Sequence, residues 1–203
     1  VKHEFDKQVK FINIPHCAER SIFKDYEMPK SHDVLLVGAI NVTTKLGQHY
    51  PLRQKMLEVL GDMSDDYVVG VYQHPGYVLG DAYENRYAID FAKAISSAKI
   101  CVTCSGAPKS RFGKYVEIPA CRTAIAGDIP NEEQQVFNKF VIEINVNDSN
   151  NTIINKLKKY LDCKEQLKKV TDRGWLLMKK YSQDWYASVF TDKVTKILNT
   201  KHD

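Results

Sequence analysis

The chain has 203 residues, a formal net charge of +4 and 27% charged residues. This length suits one domain, or one domain with a helical appendage, and it allows a substantial buried core. Acidic and basic residues interleave along the sequence, whereas a duplex-binding protein usually gathers its Lys and Arg on one face, so nucleic-acid binding is disfavoured.

The five cysteines lack the spacing of a zinc site, apart from one Cys-x-x-Cys pair. That pair, Cys101 and Cys104, lies within and at the end of an apolar strand, whereas a thioredoxin-like pair lies at a helix start. We therefore expect buried free thiols, with a redox or metal site as the alternative, and a reducing, cytoplasmic location. No apolar run approaches the ~20 residues of a membrane span, and no charged-then-apolar leader opens the chain, although a start at Val1 leaves upstream signals open.

The chain begins with an irregular lead-in and then a buried strand. Residues 1–30 contain a short extended apolar stretch and two prolines, which is typical of a connector. The apolar stretch 33–40 predicts a strand of a parallel sheet. Gly38 falls near its end, where a glycine lets the backbone approach a ligand, so it is a candidate binding residue.

A polar loop and a helix follow this strand. The loop contains Asn41 and Lys45, and Pro51 opens a helix with a regular apolar stripe. A strand, loop and helix in this order place the helix N-terminus at the carboxyl edge of a sheet, where open α/β folds bind ligands. Arg53 in the first turn opposes the helix dipole, so it indicates either a bound anion nearby or a solvent-exposed side chain.

A second strand is predicted over residues 67–72, and a turn with His74, Pro75 and Gly76 stops it. His74 either contacts a ligand or is simply solvated. A helix begins near Tyr87 and leads to the next strand.

That next strand, residues 100–103, opens the part of the sequence that is richest in candidate residues. The polar loop 105–114 leads from it into a helix, and this arrangement directs backbone N–H groups and the positive end of the helix dipole towards the space above the sheet. With its added cations, the loop indicates an anion-binding site. Its candidate binding residues are Ser105, Gly106, Lys109, Arg111, Phe112, Gly113 and Lys114.

The rest of the chain continues the alternation of strands and helices and ends in helices. A short apolar strand precedes Gly127, and a further strand is predicted over residues 140–145. Three amphipathic helices follow, over residues 152–161, 164–181 and 182–199. The whole pattern predicts an α/β fold: a doubly wound, Rossmann-like parallel sheet with helices on both faces and C-terminal helices.

One pattern in this sequence resembles a known family. Arg111 is followed by Glu117 and Ala120, then by the run Thr123-Ala-Ile-Ala126 and Gly127-Asp128. This is similar to the C-terminal, donor-binding domain of the GT-B glycosyltransferases, in the group that includes CgeB-like proteins and the glycosyl transferases group 1. The resemblance covers roughly residues 11–198. Arg122-Thr123 stands where the family usually has a small glycine after the helix.

The resemblance implies a division of the chain and a function. Residues 1–30 would be a connector, 31–162 a nucleotide-sugar-binding domain and 163–203 helices packed on it. The domain would bind a nucleoside-diphosphate sugar, with UDP or GDP as the carrier, for transfer of a glycosyl group to an acceptor. Glu117 would bind the ribose, the alternative being an exposed helix residue.

The resemblance also implies partners and the absence of cofactors. The diphosphate would be neutralised by cations and helix N-termini rather than by a metal, and the donor itself would be the only nucleotide required. The acceptor, a glycan or a protein- or lipid-linked group, would meet an N-terminal GT-B domain or a neighbouring domain. Part of the apolar face of the last helix would then lack a partner within this chain.

Two other functions remain to be weighed. A nicotinamide-dependent oxidoreductase is disfavoured because the first strand–helix loop lacks G-x-G-x-x-G. A non-catalytic nucleotide-binding or assembly module with the same fold stays open, because Arg122 departs from the family pattern.

Overall fold

In the computed structural model, residues 11–40, 42–45, 47–72 and 84–199 are described. The elements in chain order are β1 (His32–Val37), β2 (Thr43–Thr44), β3 (Gly47–Gln48), α1 (Pro51–Met63), β4 (Val69–Tyr72), α2 (Glu84–Ser96), β5 (Ala98–Val102), α3 (Lys114–Ala120), β6 (Ala124–Gly127), α4 (Gln134–Phe137), β7 (Ile142–Glu143), α5 (Asn150–Leu161), α6 (Lys164–Met178) and α7 (Gln183–Asn199).

The central sheet has five strands in the order β4-β1-β5-β6-β7, and every neighbouring pair is parallel. The connection from β1 through α1 places β4 on one side of β1, and the connection through α2 then crosses to place β5 on the other side. The fold is therefore the doubly wound, Rossmann-like α/β sheet that the sequence predicts.

Successive side chains of β1 serve two cores, because they point to opposite faces of the sheet. Val34 and Leu36 pack in the core that contains α1 and α5, whereas Leu35 and Val37 pack in the core that contains α2 and α3. All four are at most 4% exposed. Burial on both faces explains why this strand reads as a continuous apolar run rather than an alternating one.

Two elements differ from the sequence prediction. The loop 41–50 contains a short antiparallel hairpin of β2 and β3, whose two-residue strands are too short to give a periodic pattern. The last strand, β7, has two residues rather than the six predicted, because Phe140 and Val141 still close a turn onto Phe137. A backbone hydrogen bond from Ile144 to Gly127 extends the contact with β6 by one further residue.

The cysteine prediction is confirmed for Cys101 and Cys104, which are buried free thiols. Burial raises the pKa of both, so neither is a reactive thiolate at neutral pH.

The last helix exposes much of its apolar face, as predicted. Tyr186 is its buried residue, whereas Trp185, Phe190 and Leu198 are 40%, 48% and 57% exposed. None of the helices in the described part of the chain is both long and apolar enough to cross a bilayer.

Candidate functional site

A crevice opens where the chain changes direction across the sheet, between the carboxyl ends of β1 and β5. In open α/β sheets this position is the usual place for a ligand, because the two connections leave it in opposite directions. The cavity there measures about 180 Å³. We call it the switch-point crevice, and it is lined by His16, Gly38, Ala39, Tyr50, Arg53, Phe112, Gly113, Lys114 and Glu117.

Gly38 and Arg53 form one wall of the switch-point crevice. Gly38 follows β1 with φ of +98°, and a Cβ there would lie 2.7 Å from Nη1 of Arg53, so the position requires glycine. Arg53 is 3% exposed; Nη1 donates to the Ala39 carbonyl at 3.0 Å and Nη2 to Thr103 Oγ1 at 2.9 Å. Its guanidinium also lies 4.1 Å from the centre of the Tyr50 ring. The alternative of an exposed Arg53 is wrong, since this side chain joins the ends of β1 and β5.

Lys114 and Glu117 form the opposite wall. Lys114 Nζ donates to Glu117 Oε2 at 2.6 Å, and the two side chains are 20% and 15% exposed. Gly113 leaves room for this pair, because a Cβ there would lie 2.6 Å from Glu117 Oε1. The Lys114 ammonium also lies 4.5 Å from the Phe91 ring centre. Glu117 is therefore a partly buried carboxylate inside the crevice rather than an exposed helix residue.

The helix end best suited to an anion is that of α1 rather than that of α3. The N-cap residue of α1, Tyr50, makes no side-chain hydrogen bond to the helix end, and the first turn of α1 carries no acidic residue. The first N–H groups of a helix have no acceptor within the helix, and they carry partial positive charge. By contrast, α3 has only seven residues and carries Glu117 in its first turn. This carboxylate offsets the positive end of the helix dipole, where the sequence predicts a bound anion.

Asp128 organises the loop between β5 and α3. Its carboxylate accepts hydrogen bonds from Ser105 N at 2.8 Å, Ser105 Oγ at 2.6 Å and Lys109 Nζ at 2.6 Å, and from the Tyr115 hydroxyl at 3.2 Å. Burial alone would raise the pKa of Asp128, but the bonds from Lys109 and Ser105 outweigh it and lower the pKa. Ser105 is fully buried. Ser105 and Lys109 thus hold the loop in place, instead of facing the crevice.

Arg111 links the same loop to the C-terminal helices. Its side chain is 1% exposed, its Nη2 donates to the Tyr186 hydroxyl at 3.0 Å, and its Nε lies 3.5 Å from Glu133 Oε2. The guanidinium also lies 5.2 Å from the Tyr181 ring centre. Arg111 borders a separate cavity of about 400 Å³, which shares His16 and Phe112 with the switch-point crevice.

The remaining candidates are dispersed. Gly106, with φ of +68°, borders a third cavity of about 200 Å³ together with Lys109. Lys45 is exposed at the turn of the β2–β3 hairpin and lines none of these cavities. Asn41 and His74 lie outside the described residues. Six of the sequence candidates therefore meet in the switch-point crevice: Gly38, Arg53, Phe112, Gly113, Lys114 and Glu117.

Sequence reasoning missed three residues of the crevice, His16, Ala39 and Tyr50. Tyr50 had a usable signal, because an aromatic residue three positions before an arginine at a helix start can stack on its guanidinium. His16 had none: it comes from the lead-in and reaches Phe112, with 6.4 Å between ring centres, only through the tertiary fold.

The departure from the family pattern at Arg122 lies away from the crevice. Arg122 follows α3 with φ of +53°, the left-handed conformation that favours glycine after a helix. Its guanidinium is held 3.2 Å from Asp172 and 3.5 Å from Asp25. These ion pairs and the end of α3 place Arg122 at the amino edge of the sheet, so the departure leaves the crevice unchanged.

Among the described residues, no three His, Cys, Asp or Glu side chains lie close enough together to hold a metal ion.

Comparison with known proteins gives matches in structure but not in sequence. No protein-family model matches the chain, and no curated protein matches it. Among solved structures, sucrose-phosphate synthase from Thermosynechococcus elongatus aligns with 92% of this chain and 52% of its own length, at 12% identity and a TM-score of 0.63. The C-terminal domain of a glycosyl transferase group 1 family protein (LpcC) from Francisella tularensis aligns over 82% of this chain and 99% of its own length, at 10% identity and a TM-score of 0.54.

The pneumococcal O-GlcNAc transferase GtfA, solved in complex with UDP and GlcNAc, aligns over 87% of this chain and 38% of its own length, at 12% identity and a TM-score of 0.51. The chain thus spans about half of the synthase (52%) and under half of this transferase (38%), but nearly all of the isolated C-terminal domain (99%). At these identities the likeness shows a shared fold, the Rossmann-like fold of glycosyltransferase domains.

Proposed function

We propose that this chain is the donor-binding half of a GT-B glycosyltransferase and binds a nucleoside-diphosphate sugar in the switch-point crevice. The observation that carries the proposal is the meeting of Arg53, Lys114 and Glu117 around two glycine backbones at the switch point, in a fold shared with glycosyltransferase domains. A crevice with two cations, one carboxylate and close backbone access suits a ligand that carries both phosphates and hydroxyl groups.

The diphosphate lies at the N-terminal turn of α1 in this proposal. That turn has no acidic residue and no side-chain cap, so the positive end of the α1 dipole is open to phosphate oxygens, although Pro51 at its first position supplies no N–H. Arg53 in the same turn and Lys114 across the crevice add positive charge. A helix dipole and cations that are already in place stabilise the leaving diphosphate without rearranging, so the proposed transfer requires no divalent metal.

Glu117 accepts hydrogen bonds from the ribose hydroxyls in this proposal. A carboxylate accepts several hydrogen bonds, and the Lys114 ammonium at 2.6 Å already fixes one of its oxygens. The second oxygen, Oε1, lies beside the Gly113 backbone at the crevice wall. An oriented carboxylate selects a vicinal diol more strongly than a mobile one, because less side-chain entropy is lost on binding.

The acceptor requires a second wall. We propose that an N-terminal GT-B domain, or a neighbouring domain, supplies the binding site for a glycan or a protein- or lipid-linked acceptor. Positioning of two reactants contributes up to about 7–11 kcal/mol to lowering a barrier, so donor binding by this chain without its partner should give little transfer. The cysteines of the described residues are free thiols, which supports the cytoplasmic location that we propose.

A nucleotide panel tests the proposal. UDP and GDP are added to the purified chain in EDTA, and the melting temperature is compared with that in Mg²⁺. A nucleotide at a hundred times its Kd adds about 2.7 kcal/mol, which raises Tm by about 5–10 °C for a chain of this size. NAD, the matched probe for an oxidoreductase, should give no shift. The proposal fails if no nucleoside diphosphate shifts Tm, or if EDTA abolishes the shift.

A further inference from the structure

A further cavity lies at the amino edge of the sheet, opposite the switch-point crevice. It measures about 570 Å³, within the range of small-molecule sites, and no residue of it lines the crevice. The segment 25–30 forms one side, one face of α6 forms the other, and Lys99 at the start of β5 lies between them. We call this cavity the amino-edge groove.

Apolar side chains line both sides of the amino-edge groove. Met28 on the lead-in segment is 38% exposed, and Leu161 and Leu167 on the helical side are half-buried. An exposed methionine facing two partly exposed leucines is apolar surface that an aliphatic group would cover, and such burial is favourable.

The charges around the groove are mostly positive. Five cationic side chains line it, Lys30, Lys99, Arg122, Lys164 and Lys168, against three acidic ones, Asp25, Glu27 and Asp172. The difference of five and three leaves two positive charges in excess.

The acidic side chains are largely neutralised by other groove residues. Asp172 pairs with Arg122 at 3.2 Å and with Lys168, and Asp25 pairs with Arg122 at 3.5 Å. Lys99 pairs with Asp33, which lies outside the groove lining, at 2.6 Å. Lys30, Lys164 and Glu27 are then the charged groove residues without an ion pair among the described residues, so one positive charge remains in excess.

Lys30 and Lys164 have no carboxylate within ion-pair distance among the described residues. The Lys30 side chain turns inward although the residue as a whole is exposed; its Nζ donates to the Ser96 carbonyl at 2.7 Å and to Thr123 Oγ1 at 3.3 Å. Partial loss of solvent lowers the pKa of Lys30. An ammonium held against neutral oxygens gains from a nearby anion, because a charge-assisted hydrogen bond is stronger than a neutral one.

We propose that the amino-edge groove is a second ligand site, which binds an amphipathic anion with an aliphatic tail and a carboxylate head. The head lies between Lys30 and Lys164, and the tail covers Met28, Leu161 and Leu167. Charge complementarity selects the anionic head, and the apolar sides select the tail. This site is separate in space from the switch-point crevice, since the two cavities share no lining residue.

Calorimetry on the whole purified chain with three probes of equal tail length tests the proposal. Decanoate has the proposed head, 1-decanol is neutral and decyltrimethylammonium has the opposite charge; all are used below the concentrations at which they form micelles. We expect decanoate to bind about tenfold or more tightly than 1-decanol, since hydrogen bonds to charged groups are worth this much, and we expect no binding of the cation. Equal binding of decanoate and 1-decanol would overturn the proposal.

Two variants and one control locate the site. Lys164→Glu should weaken decanoate binding at least tenfold, and Lys30→Ala should weaken it severalfold, if the head lies between them. Lys139→Glu makes the same charge change at an exposed lysine that does not line the groove, and it should leave binding unchanged. Equal losses in Lys164→Glu and Lys139→Glu, or displacement of decanoate by UDP, would place the anion elsewhere and refute the assignment.

Discussion

Two polar clusters lie at the carboxyl edge of the sheet, and they differ in how fully their groups are satisfied. At Asp128, a carboxylate with a side chain 7% exposed accepts from Ser105, Lys109 and Tyr115. At Glu117, the carboxylate is 15% exposed, has one cationic partner and faces a cavity. A fully bonded cluster fixes the backbone, whereas a partly bonded cluster beside open space retains capacity for a ligand. Candidate residues from one loop thus divide into those that hold it and those that line the crevice.

The largest expected effect on stability comes from removing the Asp128 carboxylate, and it tests the difference between the two clusters. Asp128→Ala leaves the Ser105 hydroxyl and the Lys109 ammonium without this acceptor, while the Tyr115 hydroxyl keeps the Asp128 carbonyl at 2.5 Å, so we expect the free energy of unfolding to fall by about 2–4 kcal/mol. Urea denaturation monitored by circular dichroism measures it.

Asp66→Ala is the matched control for that variant. Asp66 pairs with Lys158 at 3.0 Å but is 67% exposed, so its removal should cost less than about 1 kcal/mol. Equal losses in the two variants would mean that the Asp128 cluster contributes no more to stability than a surface ion pair.

A glycine substitution tests the wall of the crevice. Gly38→Ala puts a side chain at φ of +98° and 2.7 Å from Arg53 Nη1, so we expect a loss of about 1–3 kcal/mol in stability together with weaker nucleotide binding. Gly61→Ala in α1 is the control: nothing lies within 4 Å of its added Cβ, and it should stabilise the chain by about 0.5–1 kcal/mol. If Gly38→Ala left both the stability and the nucleotide affinity unchanged, Arg53 would be able to move aside for the added methyl group.

The Glu117 cluster should show the opposite response to the Asp128 cluster. Glu117→Gln keeps the size of the side chain but weakens its role as an acceptor, so nucleoside-diphosphate affinity should fall by about 1–3 kcal/mol while stability stays within about 0.5 kcal/mol. Glu58→Gln makes the same change at an exposed position of α1 and should alter neither quantity. Calorimetric affinities equal to those of the unchanged chain would refute ribose binding by Glu117.

The smallest expected effect is the pH dependence of the contribution that Asp128 makes to stability. The pKa of Asp128 is lowered in the folded chain, so its contribution is complete above the ordinary carboxyl pKa of about 3.9 and is lost as pH falls through the folded value. The stability advantage of the unchanged chain over Asp128→Asn should therefore be constant near neutral pH and shrink below about pH 4. Urea midpoints of both chains across this range measure the difference; a constant difference down to pH 2 would contradict the linkage.

The sequence predicted the sheet well because buried parallel strands and amphipathic helices leave local patterns. The continuous apolar stretch at β1 and the proline at the start of α1 each identified an element from its own residues. The β2–β3 hairpin was missed since two-residue strands have no period to detect.

The site was harder to predict, because the partner of a polar side chain is decided by the tertiary fold. Lys109 and Lys114 lie five positions apart in one loop and look equivalent, yet one faces Asp128 and the other faces Glu117. Nothing local marks Asp128 as the acceptor for Ser105, since 23 residues separate them. His16 is likewise brought to the crevice from a distant segment. Ligand contact by Ser105, Gly106, Lys109 and Arg111 stays a prediction.

The position of β1 in the middle of the sheet has a consequence for how the chain is made. A ribosome delivers β1 before its second neighbour, β5, which ends at Val102, 65 residues after Val37 at the end of β1. At about 5–20 residues per second, β1 therefore waits roughly 3–13 s for that neighbour, with only β4 available to pair with it in the meantime. During this interval one edge of an apolar strand stays open to other chains, so the strand that leads to Gly38 in the crevice wall is exposed to aggregation before the crevice exists.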